Sequence, residues 1–166
     1  MQLRAYVAGP SGFNEAGRLF LRRRMIPAVR LAGFLVVNPW RLTDPAVIKW
    51  AQNARSGKVR LTRWLEVNHL IGKNNDLGIR RSHIVVANLD EVDSGTSCEV
   101  GIAAGTDKII IGYRSDFRPA GDNPEAIANV QLEYYIRESG GEIYRSLSSL
   151  RRGLKEFHSK LISECA

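Results

Sequence analysis

Cysteine is nearly absent: the 166-residue chain carries two, Cys98 and Cys165. Two are too few for a disulfide scaffold, and neither has a second thiol or a histidine at metal-ligand spacing. No apolar run approaches the roughly 18 residues that a membrane span requires. The opening stretch MQLRAYVAGP turns to glycine and proline too early for the apolar core of a signal peptide. The expectation is therefore a cytoplasmic protein without a metal centre or a membrane. The chain also lacks the GxGxxG of a dinucleotide site, the GxxxxGK[ST] of a P-loop, zinc-finger spacing and an RNP-like aromatic strand. What is present is a 44% hydrophobic composition, too apolar for a disordered chain, at a length that suits one domain over residues 1–166.

Charge is the unusual quantity. Lys and Arg number 24 against 17 Asp and Glu, a formal net charge of +7. Such an excess raises the question of a polyanionic partner. The cations, however, fall in short scattered groups: Arg22-Arg23-Arg24, Arg80-Arg81 and Arg151-Arg152. None forms a run of five, and none is interleaved with aromatics as a base-stacking platform would be. Nucleic acid is not expected as a partner, and the groups read as solvated helix faces or a subunit interface.

Periodicity gives alternating strands and helices. Leu3–Ala8, Phe34–Val37, His83–Leu89, Lys108–Gly112 and Ile143-Tyr144 read as strands, and Ile84-Val85-Val86-Ala87 has the continuous apolar character of a strand buried on both faces. Asn14 caps an expected helix that runs to Leu31. Thr43-Asp44-Pro45 starts a second, Trp64–Ile79 has helical spacing, and Gly95–Gly105, Asn129–Ser139 and Leu147–Ile162 complete the set. Gln52–Leu61 is expected to be an exposed loop or lid, and Arg114–Asn123 is turn-rich. Strands alternating with helices imply a doubly wound α/β fold, a parallel sheet of about five strands with helices on both faces. Ligands in such folds bind at the carboxyl ends of the strands.

The strand ends carry the chemistry. After the first strand comes Ala8-Gly9-Pro10-Ser11-Gly12, either a plain structural turn or a place where backbone approaches a ligand. After the third comes Asp90-Glu91-Val92-Asp93-Ser94-Gly95-Thr96-Ser97-Cys98-Glu99. Glu99 lies one turn into the helix, where it either faces the cleft or completes a capping box begun by Asp93 or Ser94. Asn74-Asn75-Asp76 adds a carboxylate that either reaches the same opening or sits on an ordinary polar helix face. Two carboxylates converging on a cleft are the equipment for cleaving a glycosidic bond, one attacking the anomeric carbon and the other protonating the leaving group.

Tyr6-Val7-Ala8-Gly9-Pro10, Asn75-Asp76 and Asp93-Ser94-Gly95-Thr96-Ser97-Cys98-Glu99-Val100-Gly101, followed by Gly112–Arg118 and Asn129-Val130-Gln131-Leu132, resemble the nucleoside 2-deoxyribosyltransferase family. The D-x-G-T-x-x-E-x-G element is the more specific part. The resemblance implies a flavodoxin-like sheet and a role in nucleotide salvage, moving deoxyribose from a 2′-deoxynucleoside to a free nucleobase with no cofactor. By the same resemblance Glu99 is the nucleophile, Asp76 the general acid, Asp93 a sugar-side carboxylate and Tyr6 the residue that places the nucleophile. The acid and sugar-binding roles of Asp76 and Asp93 are interchangeable at this level. Gly9, Pro10, Gly95 and Thr96 fall in the binding motifs, and Asn129 is donated by a neighbouring subunit, so a homo-oligomer is implied.

Water in place of the acceptor base makes the same site an N-glycosidase. A related branch, by resemblance, hydrolyses 5′-monophosphates with a small hydroxyl residue six positions before the nucleophile. Here that position is Asp93, which repels phosphate and favours a free nucleoside. A non-catalytic nucleotide-binding module is the third reading. Cys98 and Ile102 stand where the family often has larger residues, and the segment Asp44–Arg63, with Trp50 inside it and Trp64 just beyond its end, reads as a lid, a base-stacking wall or packing.

Overall fold

The side-chain alternation of the strands divides the core into two layers. The structure, a computed structural model, describes residues 2–119 and 123–164; residues 120–122 of the turn-rich segment and Cys165 lie outside the described residues. Strands β1 (Arg4–Ala8), β2 (Leu35–Val37), β3 (Ile84–Asn88), β4 (Ile109–Tyr113) and β5 (Ile143–Tyr144) form one sheet in the order β2-β1-β3-β4-β5. Every pairing is parallel, with Ala5 opposite Val36 on one side and Ile84 on the other. This is the doubly wound, flavodoxin-like arrangement expected from the sequence.

Because successive strand residues point to opposite faces, Ala5, Val7, Ile84, Val86 and Ile111 join one buried cluster. That cluster is covered by α1 (Glu15–Phe20), α2 (Ile26–Leu31) and α7 (Leu147–Glu164). Tyr6, Ala8, Val85, Ala87 and Ile110 point the other way, against α4 (Lys58–Arg80), α5 (Ser94–Ala104) and α6 (Val130–Glu138). The chain leaves β1 toward β2 and returns to β3 on the opposite side, so the switch point lies between β1 and β3. Gly9 sits at that point with φ +147, and a Cβ there would lie 2.8 Å from the Cβ of Asn88 at the end of β3. A side chain at position 9 is excluded both by backbone conformation and by space.

Two elements differ from expectation. The loop expected over Gln52–Leu61 shrinks to residues 53–57, because α3 (Pro45–Gln52) ends at Gln52 and α4 begins at Lys58. The first turns of α4 expose Val59, Leu61 and Leu65, so they bury no apolar stripe whose period would reveal a helix. The helix expected from Asn14 to Leu31 is continuous but contains a π-helical turn over Leu21–Met25.

Candidate active site

Glu99 is brought to the switch point by the cap of its own helix. Asp93 accepts from the Thr96 backbone N–H at 2.8 Å and the Thr96 hydroxyl at 2.6 Å, both through Oδ1. This N-cap satisfies an orphan donor and starts α5 at Ser94. Glu99 follows on the face that looks back to the sheet, so Asp93 is both a cap and a cavity wall, and Glu99 is no part of a capping box.

Tyr6 arrives from β1 on the α4/α5 face and is fully buried. Its hydroxyl donates to Glu99 Oε1 at 2.5 Å. Gly78 lets α4 pass close beneath the ring, since a Cβ there would lie 3.1 Å from Tyr6 Cε2. Burial, with a smaller contribution from the Asp93 charge, pushes the Glu99 carboxyl up from 4.5 to about 7, against the lowering effect of the Tyr6 bond. Burial and the Glu99 carboxylate raise the Tyr6 phenol in turn, so it remains a donor.

A cavity of about 280 Å³ opens beside this pair, lined by Gly9, Phe13, Trp40, Asn75, Asp93, Gly95, Thr96 and Glu99 together with Pro39 and Ile71. That is near the lower end of the roughly 300–1,000 Å³ typical of small-ligand sites. Phe13 and Trp40 meet edge-on, with centroids 4.8 Å apart, and supply an aromatic wall. No Lys or Arg is among the described lining residues.

The structure therefore brings Tyr6, Gly9, Asp93, Gly95, Thr96 and Glu99 together. Asp76 is placed elsewhere. Its carboxylate receives the Arg80 Nε at 2.8 and 3.0 Å, an i,i+4 pair on the α4 surface. Successive residues on a helix point about 100° apart, and it is Asn75 that faces the cavity. Its Oδ1 is buried without a hydrogen-bond partner among the described residues. Pro10 lines a neighbouring cavity of about 630 Å³ with Ser11, Asn88, Asp90 and Glu91. Of the three acidic residues after β3, Asp90 is occupied by the Ser115 and Asp116 backbone N–H groups, and only Asp93 reaches Glu99's cavity. Asn129 is exposed at the N-terminus of α6, where its side chain accepts from the Gln131 N–H.

Trp50 and Trp64 take no part in the wall: Trp50 packs under the Arg63 guanidinium at 4.7 Å, and Trp64 is half-buried on α4. Trp40 and Phe13 escaped the sequence reading because neither lies in a motif. The only signal was an aromatic beside each strand-end turn, Gly12-Phe13 and Pro39-Trp40. Among the described residues no three metal-ligating side chains come together.

Tyr6→Phe keeps the ring and removes the bond to Glu99. A hydrogen bond to a charged group contributes roughly 1.5–3 kcal/mol. The expected result is a Glu99 ionisation above about 7, with turnover at pH 7 reduced about tenfold and recovered at higher pH. A pH–rate profile superimposable on the wild type would sink this role for Tyr6.

Comparison with known proteins agrees with this fold. The chain resembles in fold a conserved protein from Enterococcus faecalis, with a TM-score of 0.68 at 18% identity, covering 94% of this chain and 99% of that one. A 2-deoxyribosyltransferase from Bacillus psychrosaccharolyticus superposes with a TM-score of 0.59 at 17% identity, covering 89% and 90%. A CMP N-glycosidase from Clostridium botulinum does so with 0.53 at 16%, covering 91% and 97%. No curated protein matches by sequence. A profile of the nucleoside 2-deoxyribosyltransferase family matches residues 5–140, from within β1 through α6, and this span holds every residue of the cavity. The chain thus belongs to the nucleoside 2-deoxyribosyltransferase family.

Proposed function

We propose that the protein transfers the 2-deoxyribosyl group of an uncharged 2′-deoxynucleoside to a second nucleobase through a covalent intermediate on Glu99. Family membership supports an enzyme of glycosyl-transfer or N-glycosidase type. The observation that carries the finer reading is the Tyr6–Glu99 pair opening onto an aromatic-walled cavity with no cationic residue in its described lining. With Oε1 engaged by Tyr6, Oε2 is the oxygen that attacks C1′ as the C1′–N bond breaks and its electron pair passes to the base. A nitrogen of the acceptor base then attacks C1′, returns the electron pair to the carboxylate and gives up its proton.

Asp93 keeps Oδ2 free of the Thr96 bonds and accepts a sugar hydroxyl. A carboxylate at this place repels a 5′-phosphate, and no described cation compensates. The base lies between the Phe13/Trp40 wall and Asn75, whose buried Oδ1 takes a hydrogen from a ring N–H or amino group. An amide supplies no proton, so the departing base takes its proton from solvent and not from Asp76. Accordingly, Asp76→Asn should change kcat/KM less than threefold, whereas Asn75→Ala should lower it about tenfold. Equal losses in steady-state kinetics would return Asp76 to the site.

The site is completed by a second copy, which donates Asn129. Val130 and Tyr134, one turn apart on α6 after that residue, are exposed and offer apolar surface suited to a subunit contact. No described helix is long and apolar enough to cross a membrane, and the reading places the reaction in cytoplasmic nucleotide salvage. The test is incubation with deoxyinosine and adenine. Deoxyadenosine plus hypoxanthine is the expected outcome, while hypoxanthine with free deoxyribose makes the protein a hydrolase. Absence of turnover of any deoxynucleoside or its monophosphate overturns the enzyme reading.

A further inference from the structure

We infer that a second ligand site, for a polyphosphorylated nucleotide, lies on the side of Trp40 away from Glu99. A cavity of about 650 Å³ there is lined by Arg18, Arg22, Arg30 and Arg41, with Leu21 and Trp40 among its apolar walls and no carboxylate. None of the four arginines forms an ion pair among the described residues, where the salt bridges engage Arg80, Arg118, Arg137 and Lys160 instead. One further bond is present: Arg18 Nη1 donates to the Gly12 carbonyl at 3.4 Å. Four like charges around one opening repel one another, and a chain of phosphates removes that repulsion through the paired N–H donors of guanidinium.

The convergence is built into the backbone. Twelve residues separate Arg18 from Arg30, about 3.3 turns of regular helix at 3.6 residues per turn, which would set them a third of a turn apart. The π-helical turn at Leu21–Met25 absorbs one residue through its i→i+5 closure. The remaining spacing is close to 3.1 turns, and Arg30 returns to the face of Arg18 and Arg22. π-helical turns recur at functional sites because each carries this change of register. Arg41 comes from a separate short turn at Pro39–Arg41, beside Trp40.

The apolar floor and the indole accommodate a base, and the volume lies inside the range of small-ligand sites. Trp40 also lines the Glu99 cavity, so an occupant here contacts the wall of the reaction site without touching its carboxylates. The site does not depend on the transferase reading, since its binding is measured without turnover.

The experiment is calorimetric titration of the wild-type protein and of Arg22→Glu/Arg30→Glu with ATP and with inorganic tripolyphosphate at low ionic strength. Both substitutions are at exposed positions outside the catalytic machinery. The expected result is wild-type binding of ATP that weakens at least tenfold in the variant and on raising the salt, with Tm and assembly mass unchanged. Equal affinity for ATP and tripolyphosphate overturns the nucleotide assignment. Absence of wild-type binding, or binding untouched by the double substitution, overturns the site itself. A change of assembly mass in the variant, without ATP binding by the wild type, gives the arginines to a contact between copies and overturns it as well.

Discussion

Glu99→Gln lowers kcat by at least about 10³-fold and, at pH 8, raises the melting temperature. The first effect follows from the loss of the attacking oxygen's charge, since an amide forms no glycosyl ester and removal of a nucleophile commonly accounts for most of the catalysis of a covalent mechanism. The second follows from burial. The carboxyl is held at about 7 in the folded protein against 4.5 in an exposed chain, so the folded state retains a proton over that window which the unfolded state has released. Stability is therefore fully present below about 4.5, falls as pH rises through the window and stays lowered above about 7. A shift of that size corresponds to about 3 kcal/mol. The amide of the variant has no proton to lose and still accepts from Tyr6, so the two proteins melt alike near pH 4 and diverge at pH 8. The same ionisation makes wild-type turnover rise with pH through about 7, because only the carboxylate attacks C1′. Thermal melts and single-turnover rates across pH 4–9 check both halves. A variant that melts no higher at pH 8 would remove the burial argument, and one that still accumulates a covalent 2-fluoro-deoxyribosyl adduct would remove Glu99 as nucleophile.

How much of this was legible before the fold depends on whether the deciding feature was local. Gly9 and Asp93 lie just past the ends of β1 and β3, with Tyr6 three residues before the one and Glu99 six residues after the other, and strand ends are marked in sequence by apolar runs that stop at glycine or acid. The five strands and their parallel order follow from the same alternation. The Asn74-Asn75-Asp76 run was also visible, but its phase was not. A helix places neighbours about 100° apart, and only the seating of α4 against Tyr6 through Gly78 decides that Asn75 faces inward while Asp76 pairs with Arg80. The arginines show the same limit on a larger scale. Arg22-Arg23-Arg24 read as a solvated face, and all three are exposed, with Arg22 also lining the arginine cavity. Arg30 joins Arg18 and Arg22 only through a π-helical turn that no composition signal announced.

Trp40 is the furthest from legibility, and its placement gives the second large effect. The indole lies flat on the turn after β1: a Cβ at position 12 would stand 1.9 Å from Trp40 Cε2 and 2.3 Å from Cδ2. Gly12→Ala therefore expels the ring. Because Trp40 is 45% exposed, it swings toward solvent and the backbone stays, so the melting temperature changes by no more than a few degrees. What is lost is the wall against which the base stacks. Stacking of a base on an aromatic side chain is worth roughly 1–3 kcal/mol, and kcat/KM for a deoxynucleoside falls about 5- to 150-fold, mostly through KM. Trp40→Ala produces the same loss by direct removal. If Gly12 acts only by seating Trp40, the double variant loses no more than either single one, since two changes that remove one interaction do not add. Steady-state kinetics on the three variants decide it. Multiplied losses would give Gly12 a contact of its own with substrate, and an unchanged KM in Trp40→Ala would take the base away from this wall.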